Sequence, residues 1–246
     1  RWSFLFIMVC SFLLITVPGA PAADKDSCLD CHKDEAFRVQ NKMLYDYYQN
    51  WKDSIHELAG VACSDCHGGN PAKADKDAAH KGNFSPLSSA DRESYKLIPG
   101  RCGACHEPVL KNFRESQHYT ALIKKGSGPH CVTCHGSMNA EVYYTAVVAR
   151  ACQECHNEYT KLSPEVVGEA DKILQRINVS RAMRNWVSVY YAEKAPDDVA
   201  EINALYSDVA DSWHRFSFSD LDRKSEDLLA RLKSMVNKKL AERKKK

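Results

Sequence analysis

Hydrophobic patterning divides the chain into three stretches. Residues 2–17 are almost wholly apolar, without any period. Residues 24–160 scatter their apolar positions singly among charged and polar ones, so this region cannot build an ordinary core from its own side chains. From Ser163 onward a helical period takes over. Ser163 as N-cap and Pro164 as the first helical residue open a stripe of Val166, Ala170, Ile173, Ile177, Met183, Val187 and Tyr190. Pro196-Asp197-Asp198 opens a second helix striped by Val199, Ile202, Leu205, Val209 and Trp213, and Ser219-Asp220-Leu221-Asp222 a third striped by Leu221, Leu228, Leu232, Val236 and Leu240. The expected fold is mainly α with little or no β: short helices and loops over 24–160, then a bundle or hairpin of about three amphipathic helices over 161–246. Trp186, Tyr190, Tyr191, Tyr206 and Trp213 are expected in its core or against the preceding region.

The apolar residues 2–17 lead into Pro18-Gly19-Ala20-Pro21-Ala22-Ala23 and then the charged Asp24-Lys25-Asp26. Small residues in that position read as a secretory signal over 1–23 with its cleavage site. The alternative is an uncleaved anchor, although the apolar run falls just short of the roughly 20 residues that span a bilayer. Cys10 lacks a lipoprotein context and reads as a small apolar filler.

Cysteine usage supplies the chemistry. The other ten of the 11 cysteines form five copies of Cys-x-x-Cys-His: Cys28, Cys31 and His32; Cys63, Cys66 and His67; Cys102, Cys105 and His106; Cys131, Cys134 and His135; Cys152, Cys155 and His156. Chance would place roughly 0.02 copies in a chain of this composition. Two cysteines at this spacing can each add across a vinyl group of one porphyrin, and the histidine then meets the iron as its proximal ligand. Zinc ribbons use Cys-x-x-Cys pairs without needing a histidine after each, and disulfide use leaves that histidine unexplained too. The expected cofactors are five covalently attached haem c groups. Haem attachment is completed outside the bacterial cytoplasm, so motif and leader agree on a periplasmic or otherwise exported protein.

The region repeats internally. Trp51-Lys52-Asp53-Ser54-Ile55-His56 precedes the Cys63 motif and Phe113-Arg114-Glu115-Ser116-Gln117-His118 the Cys131 motif, both aromatic-x-x-Ser-x-His, and both motifs end in Gly, at Gly68 and Gly136. Two dihaem modules, 28–68 and 102–136, with a fifth haem at 152–156, are the simplest organisation of a pentahaem domain over 24–160.

Five histidines lie outside the motifs: His56, His80, His118, His130 and His214. Their number equals that of the haems, so every iron could hold a second imidazole. The bland alternative is that a surface histidine means nothing; the repeat argues against it for His56 and His118. His130 abuts Cys131 and is expected to reach a neighbouring iron. Met43, Met138, Met183 and Met235 are poorer ligand candidates, the last two falling on apolar stripes.

Ser212-Trp213-His214-Arg215-Phe216 resembles the His-Asn-Phe or His-Asn-Pro turn between C-terminal helices in the multihaem superfamily of cytochrome c nitrite reductase and hydroxylamine oxidoreductase. His56-Glu57-Leu58-Ala59-Gly60-Val61-Ala62-Cys63 resembles its H-x-x-x-G-V-x-C signature. The resemblance implies that His214 is a distal ligand. Arg215 replaces the family's Asn, the Cys-x-x-Cys-Lys site of the nitrite reductases is absent, and those enzymes are about twice this length. The chain is therefore similar in kind to the small electron-carrying partners of those enzymes.

A single-electron carrier between a donor cytochrome or quinol oxidase and an acceptor reductase or cytochrome is the expected function. The alternatives are reduction or oxidation of a small nitrogen or sulfur compound at one open iron, and a subunit of an extracellular cytochrome filament. No basic stripe with interleaved aromatics points to nucleic acid, and membrane association would require the leader to stay. The formal charge of +2 falls to near −3 if five ferric haems each add about −1 through their propionates. The basic run at Glu242-Arg243-Lys244-Lys245-Lys246 is expected to be a solvated helix end.

Overall fold

The computed structural model describes residues 26–84, 92–140 and 145–243. The apolar leader, Cys10, its expected cleavage site and the last three lysines lie outside them. The short helices are α1 (Ser27–His32), α2 (Glu35–Gln40), α3 (Lys42–Lys52), α4 (Ile55–Leu58), α5 (Cys63–His67), α6 (Lys76–His80), α7 (Arg92–Gly103), α8 (Glu107–Arg114), α9 (Gln117–Lys125), α10 (Cys131–His135) and α11 (Thr145–Gln153). Three longer ones follow, α12 (Val166–Tyr191), α13 (Pro196–Ser212) and α14 (Phe218–Arg243), with a 3-10 turn at Trp213–Arg215. The fold is mainly α, and the described residues include no strand. No described helix is long and apolar enough to cross a membrane.

The tail is an up-down-up bundle. Arg176 on α12 bonds to Asp222 on α14, and Tyr191, further along α12, donates to the carbonyl of Met235, so these two helices run parallel. Ser188 with Asn203 and Lys224 with Asp208 set α13 antiparallel to both. Val187, Tyr191, Ile202, Val209, Leu228 and Leu232 form its core. Leu232 is fully buried, so Leu232→Ala is expected to cost about 2–5 kcal/mol, read from denaturant unfolding followed by helical circular dichroism. A second cluster of Val148, Ala149, Ala170, Ile173, Leu174, Trp213 and Leu221 joins α11 to the bundle. That cluster is the apolar seam between the motif region and the tail.

Two expectations change. Ser163 is not an N-cap: α12 begins at Val166, and Lys161 and Ser163 both take positive φ (53° and 43°). Between them the carbonyl of Leu162 is turned back to accept from Nδ1 of His156 at 2.5 Å, a local bond that closes the loop ahead of the helix. Trp186 is not core but 38% exposed, its ring stacked on Tyr190 at 5.3 Å. Tyr191 is buried in the core, while Tyr190 packs against it, partly buried, under Lys194 and Lys239.

Candidate haem-binding site

A helical turn explains the motif spacing. Residues i, i+3 and i+4 lie on one helix face, so one turn aims both cysteines and the histidine the same way. Three motifs are such turns, namely α1, α5 and α10. Asp26 caps α1 by accepting from the Cys28 N–H at 3.0 Å, and the Asp65 carboxylate accepts from the Ala62 N–H at 2.8 Å ahead of α5. The motif histidines His32, His67 and His135 close these helices. The residue that follows explains the repeated glycine: Gly68 (φ 72°, ψ −148°) and Gly136 (φ 74°, ψ 168°) occupy a backbone region almost restricted to glycine. In the other two motifs the first cysteine lies in the last turn of a longer helix, α7 or α11. There the His106 and His156 N–H groups donate back to the Cys102 and Cys152 carbonyls at 2.9 and 2.8 Å, giving the same turn.

The histidines meet in twos. Ring centroids lie 6.2 Å apart for His32 and His80, 6.2 Å for His56 and His106, 6.0 Å for His118 and His156, and 6.2 Å for His135 and His214. Each pair joins one motif histidine to one outside the motifs. A metal–imidazole bond of about 2.0 Å and about 1.2 Å from nitrogen to ring centre, on each face, separate trans imidazoles by about 6.4 Å. The residues present thus fit a haem iron between two rings. Among the described residues no three His, Cys, Asp or Glu side chains converge to hold a bare metal ion.

His56 and His118 keep their repeat equivalence in an unexpected form. Each passes over the motif that follows it and faces the histidine of the next, His106 or His156. His56 thus reaches from the first stretch, 28–68, to the second, 102–136, His118 reaches from the second to the motif at 152–156, and His80 reaches backward to His32. The fifth couple is not in ring contact: His67 is held at Nδ1 by the Phe84 carbonyl at 3.0 Å, and His130 stacks on Tyr95 at 5.2 Å and 19°.

Protonation suits ligation. A carbonyl can only accept, so the bonds of Nδ1 to Lys76 O from His80 (2.7 Å), to Leu162 O from His156 and to Asp211 O from His214 (3.3 Å) put the proton on Nδ1. Nε2 is left with its lone pair, the form a metal takes. Burial, with His135 adding to it, pushes His214 down to about 4. Burial likewise lowers His32, His118 and His130, so these rings are neutral near pH 7.

The ten described cysteines are free of disulfides. The two cysteines expected to anchor the first haem do not share one setting. Cys28 is half-buried, whereas Cys31 is exposed at the end of α1, and its carbonyl accepts from the Asp34 N–H at 3.2 Å. Cys66, Cys105 and Cys155, the second cysteines of three later motifs, are exposed too, and Cys134 alone of the second cysteines is half-buried. Burial, then Asp26, pushes Cys28 up to about 12, with Cys63 contributing. Burial raises Cys66, aided by Cys102 and Cys105, and Cys134, aided by Cys152 and Cys155. Cys102 is raised first by a hydrogen bond to Cys131. Each motif thus neighbours its successor in the chain. Sequence reasoning missed Phe84, Leu162, Tyr95 and Phe216. The first two act through backbone carbonyls, which carry no sequence signal.

Residues 87–157 match the family described as cytochrome c7 and related cytochrome c. The C-type polyheme cytochrome OmcB of Geobacter sulfurreducens, in strains DL-1/KN400 and PCA, is 34% identical over 128 residues. That alignment covers 49% of this chain and 15% of the relatives, so the chain spans about a seventh of their length. No solved structure matches. Over residues 87–157 the chain is thus similar to cytochrome c7 and related cytochrome c, and over 128 residues it is similar to a polyheme c-type cytochrome.

Proposed function

We propose that this protein is an exported pentahaem electron carrier whose irons are held by two histidines each. The observation that carries the reading is the set of four ring pairs near 6 Å. The motif cysteines, from Cys28 and Cys31 to Cys152 and Cys155, would form the thioether bonds, and His32/His80, His106/His56, His156/His118 and His135/His214 would close both axial positions. His67 and His130 are the remaining couple. Bound haem supplies Fe(III)/Fe(II) exchange of single electrons. Backbone carbonyls fix the tautomer and orientation of His67, His80, His156 and His214, and each of the four ring pairs would leave small molecules no axial site on its iron. The neighbouring thiols of successive motifs support a haem series that follows chain order, from the Cys28 motif to the Cys152 motif. Export follows from the attachment chemistry and the apolar leader, and the partners from the carrier role: a donor cytochrome or quinol oxidase and an acceptor reductase or cytochrome. The resemblance to the nitrite reductase and hydroxylamine oxidoreductase superfamily enters through His56 and His214, which both face a motif histidine.

His56→Ala is expected to leave the iron over His106 five-coordinate and His118→Ala the iron over His156, one high-spin haem in each case. Electron paramagnetic resonance of the two variants and of the double variant reads this. Loss of the same low-spin signal in both single variants would defeat the assignment. A second reading, small-molecule chemistry at one open iron, is favoured by one observation: His130 stacks on Tyr95 and is not in ring contact with His67. Carbon monoxide uptake by one reduced haem, abolished in a His67→Ala variant that retains the other four haems, would select it.

A further inference from the structure

Phe216 is the bulky residue placed where the backbone least favours one. It ends the turn at Trp213–Arg215 with φ 56° and ψ 34°, the left-handed region that a large side chain enters only when its surroundings force it. Its ring stands edge-on to His118, centroids 4.4 Å apart at 66°. On its other sides lie Phe113 at 6.5 Å and Trp213 at 6.0 Å. Arg215 pairs with Glu115 at 3.1 Å and fastens the turn to the end of α8.

His118 needs such a neighbour. Its Nδ1 is buried without a hydrogen-bond partner, whereas His67, His80, His156 and His214 are each oriented by an Nδ1–H bond to a backbone carbonyl. A ring that lacks this bond can still rotate about its side-chain torsions unless packing stops it. We propose that Phe216 is a positioning residue that sets the ring plane of His118 against His156, so that the turn supplying His214 to one haem also orients the distal ligand of the next. The inference rests on the ligation proposed above. Two adjacent members of the series thereby depend on four consecutive tail residues.

The test uses pure holoprotein and the electron paramagnetic resonance of its low-spin haems, because the g values of a bis-imidazole haem follow the relative orientation of its two rings. His118→Ala first identifies the signal of its iron as the one lost. Phe216→Leu is then expected to shift that signal alone and leave four in place, with five haems still bound. Phe216→Tyr should restore it. Phe216→Gly, which accepts the left-handed backbone without strain but has no ring, should show the same shift as Phe216→Leu. A Phe216→Leu spectrum that superimposes on the parent, or a Phe216→Gly protein with the parent signal, overturns the inference, as does an equal shift of the signal lost in His214→Ala. If His118→Ala itself leaves every haem low spin, the ligation reading fails first.

Discussion

Produced without haem attachment, the chain is expected to lose the structure of residues 26–160 and to keep most of the helical signal of its tail. The buried apolar residues divide unevenly. Only Ile98, Pro99, Phe113, Leu122, Val148 and Ala149 precede residue 161 among those described, and the last two belong to the seam cluster shared with the tail. Burying one large apolar side chain stabilises by about 1.5–3 kcal/mol, whereas ordering the backbone of one residue costs about 1–2 kcal/mol. Four buried side chains outside the seam cannot order a hundred residues; porphyrin faces must supply the missing core. The tail holds Ile173, Leu174, Val187, Ile202, Val209, Leu228 and Leu232 and stands on its own side chains. Hydrogen exchange of the apoprotein reads this directly. Slow exchange throughout 26–160 without haem would contradict it.

His214→Ala should convert about one fifth of the haem to high spin and loosen the turn that joins the last two helices. The histidine faces His135 at 6.2 Å, so its loss removes one axial ligand from the iron proposed there. The mechanical consequence is bounded by the other ties. Arg215 still pairs with Glu115, and the cluster of Val148, Ala149, Ala170, Ile173, Leu174, Trp213 and Leu221 still joins α11 to the bundle. Protection should therefore fall near residues 211–221 and persist along α12 and the far end of α14. Unchanged exchange at the turn with an intact low-spin spectrum would remove His214 from the ligand set.

How much was readable beforehand differs by element. The motifs were legible because covalent attachment fixes cysteine and histidine at rigid intervals, and a helical turn is the one local structure that satisfies them. The unequal cover of Cys28 and Cys31 was not, since spacing records the shared face and not what packs over it. The three tail helices were legible because each buries one stripe, and their stripes hold from Val166 to Val236. Trp186 was misplaced because an aromatic residue on a helix can cover a surface as well as fill a core. Ser163 looked like an N-cap, yet the bond between His156 and the Leu162 carbonyl turns the chain there. Which histidines face each other was not legible. Nearness in sequence favours His56 with His67, but the fold carries His56 past that motif to His106, and only tertiary packing records the step. Phe216 was invisible for a related reason: propensity argues against a left-handed phenylalanine, and its place is set by His118, Phe113 and Trp213.

The central claim is that each of five haems is closed on both faces by histidine. Quantitative low-temperature electron paramagnetic resonance of the oxidised holoprotein, scaled to a pyridine haemochrome count on the same sample, tests it most directly. The expected result is a haem-to-protein ratio of about five with all ferric spin accounted for by low-spin signals. A ratio of two or three, or a high-spin signal holding about one fifth of the iron in the unmodified protein, would contradict it.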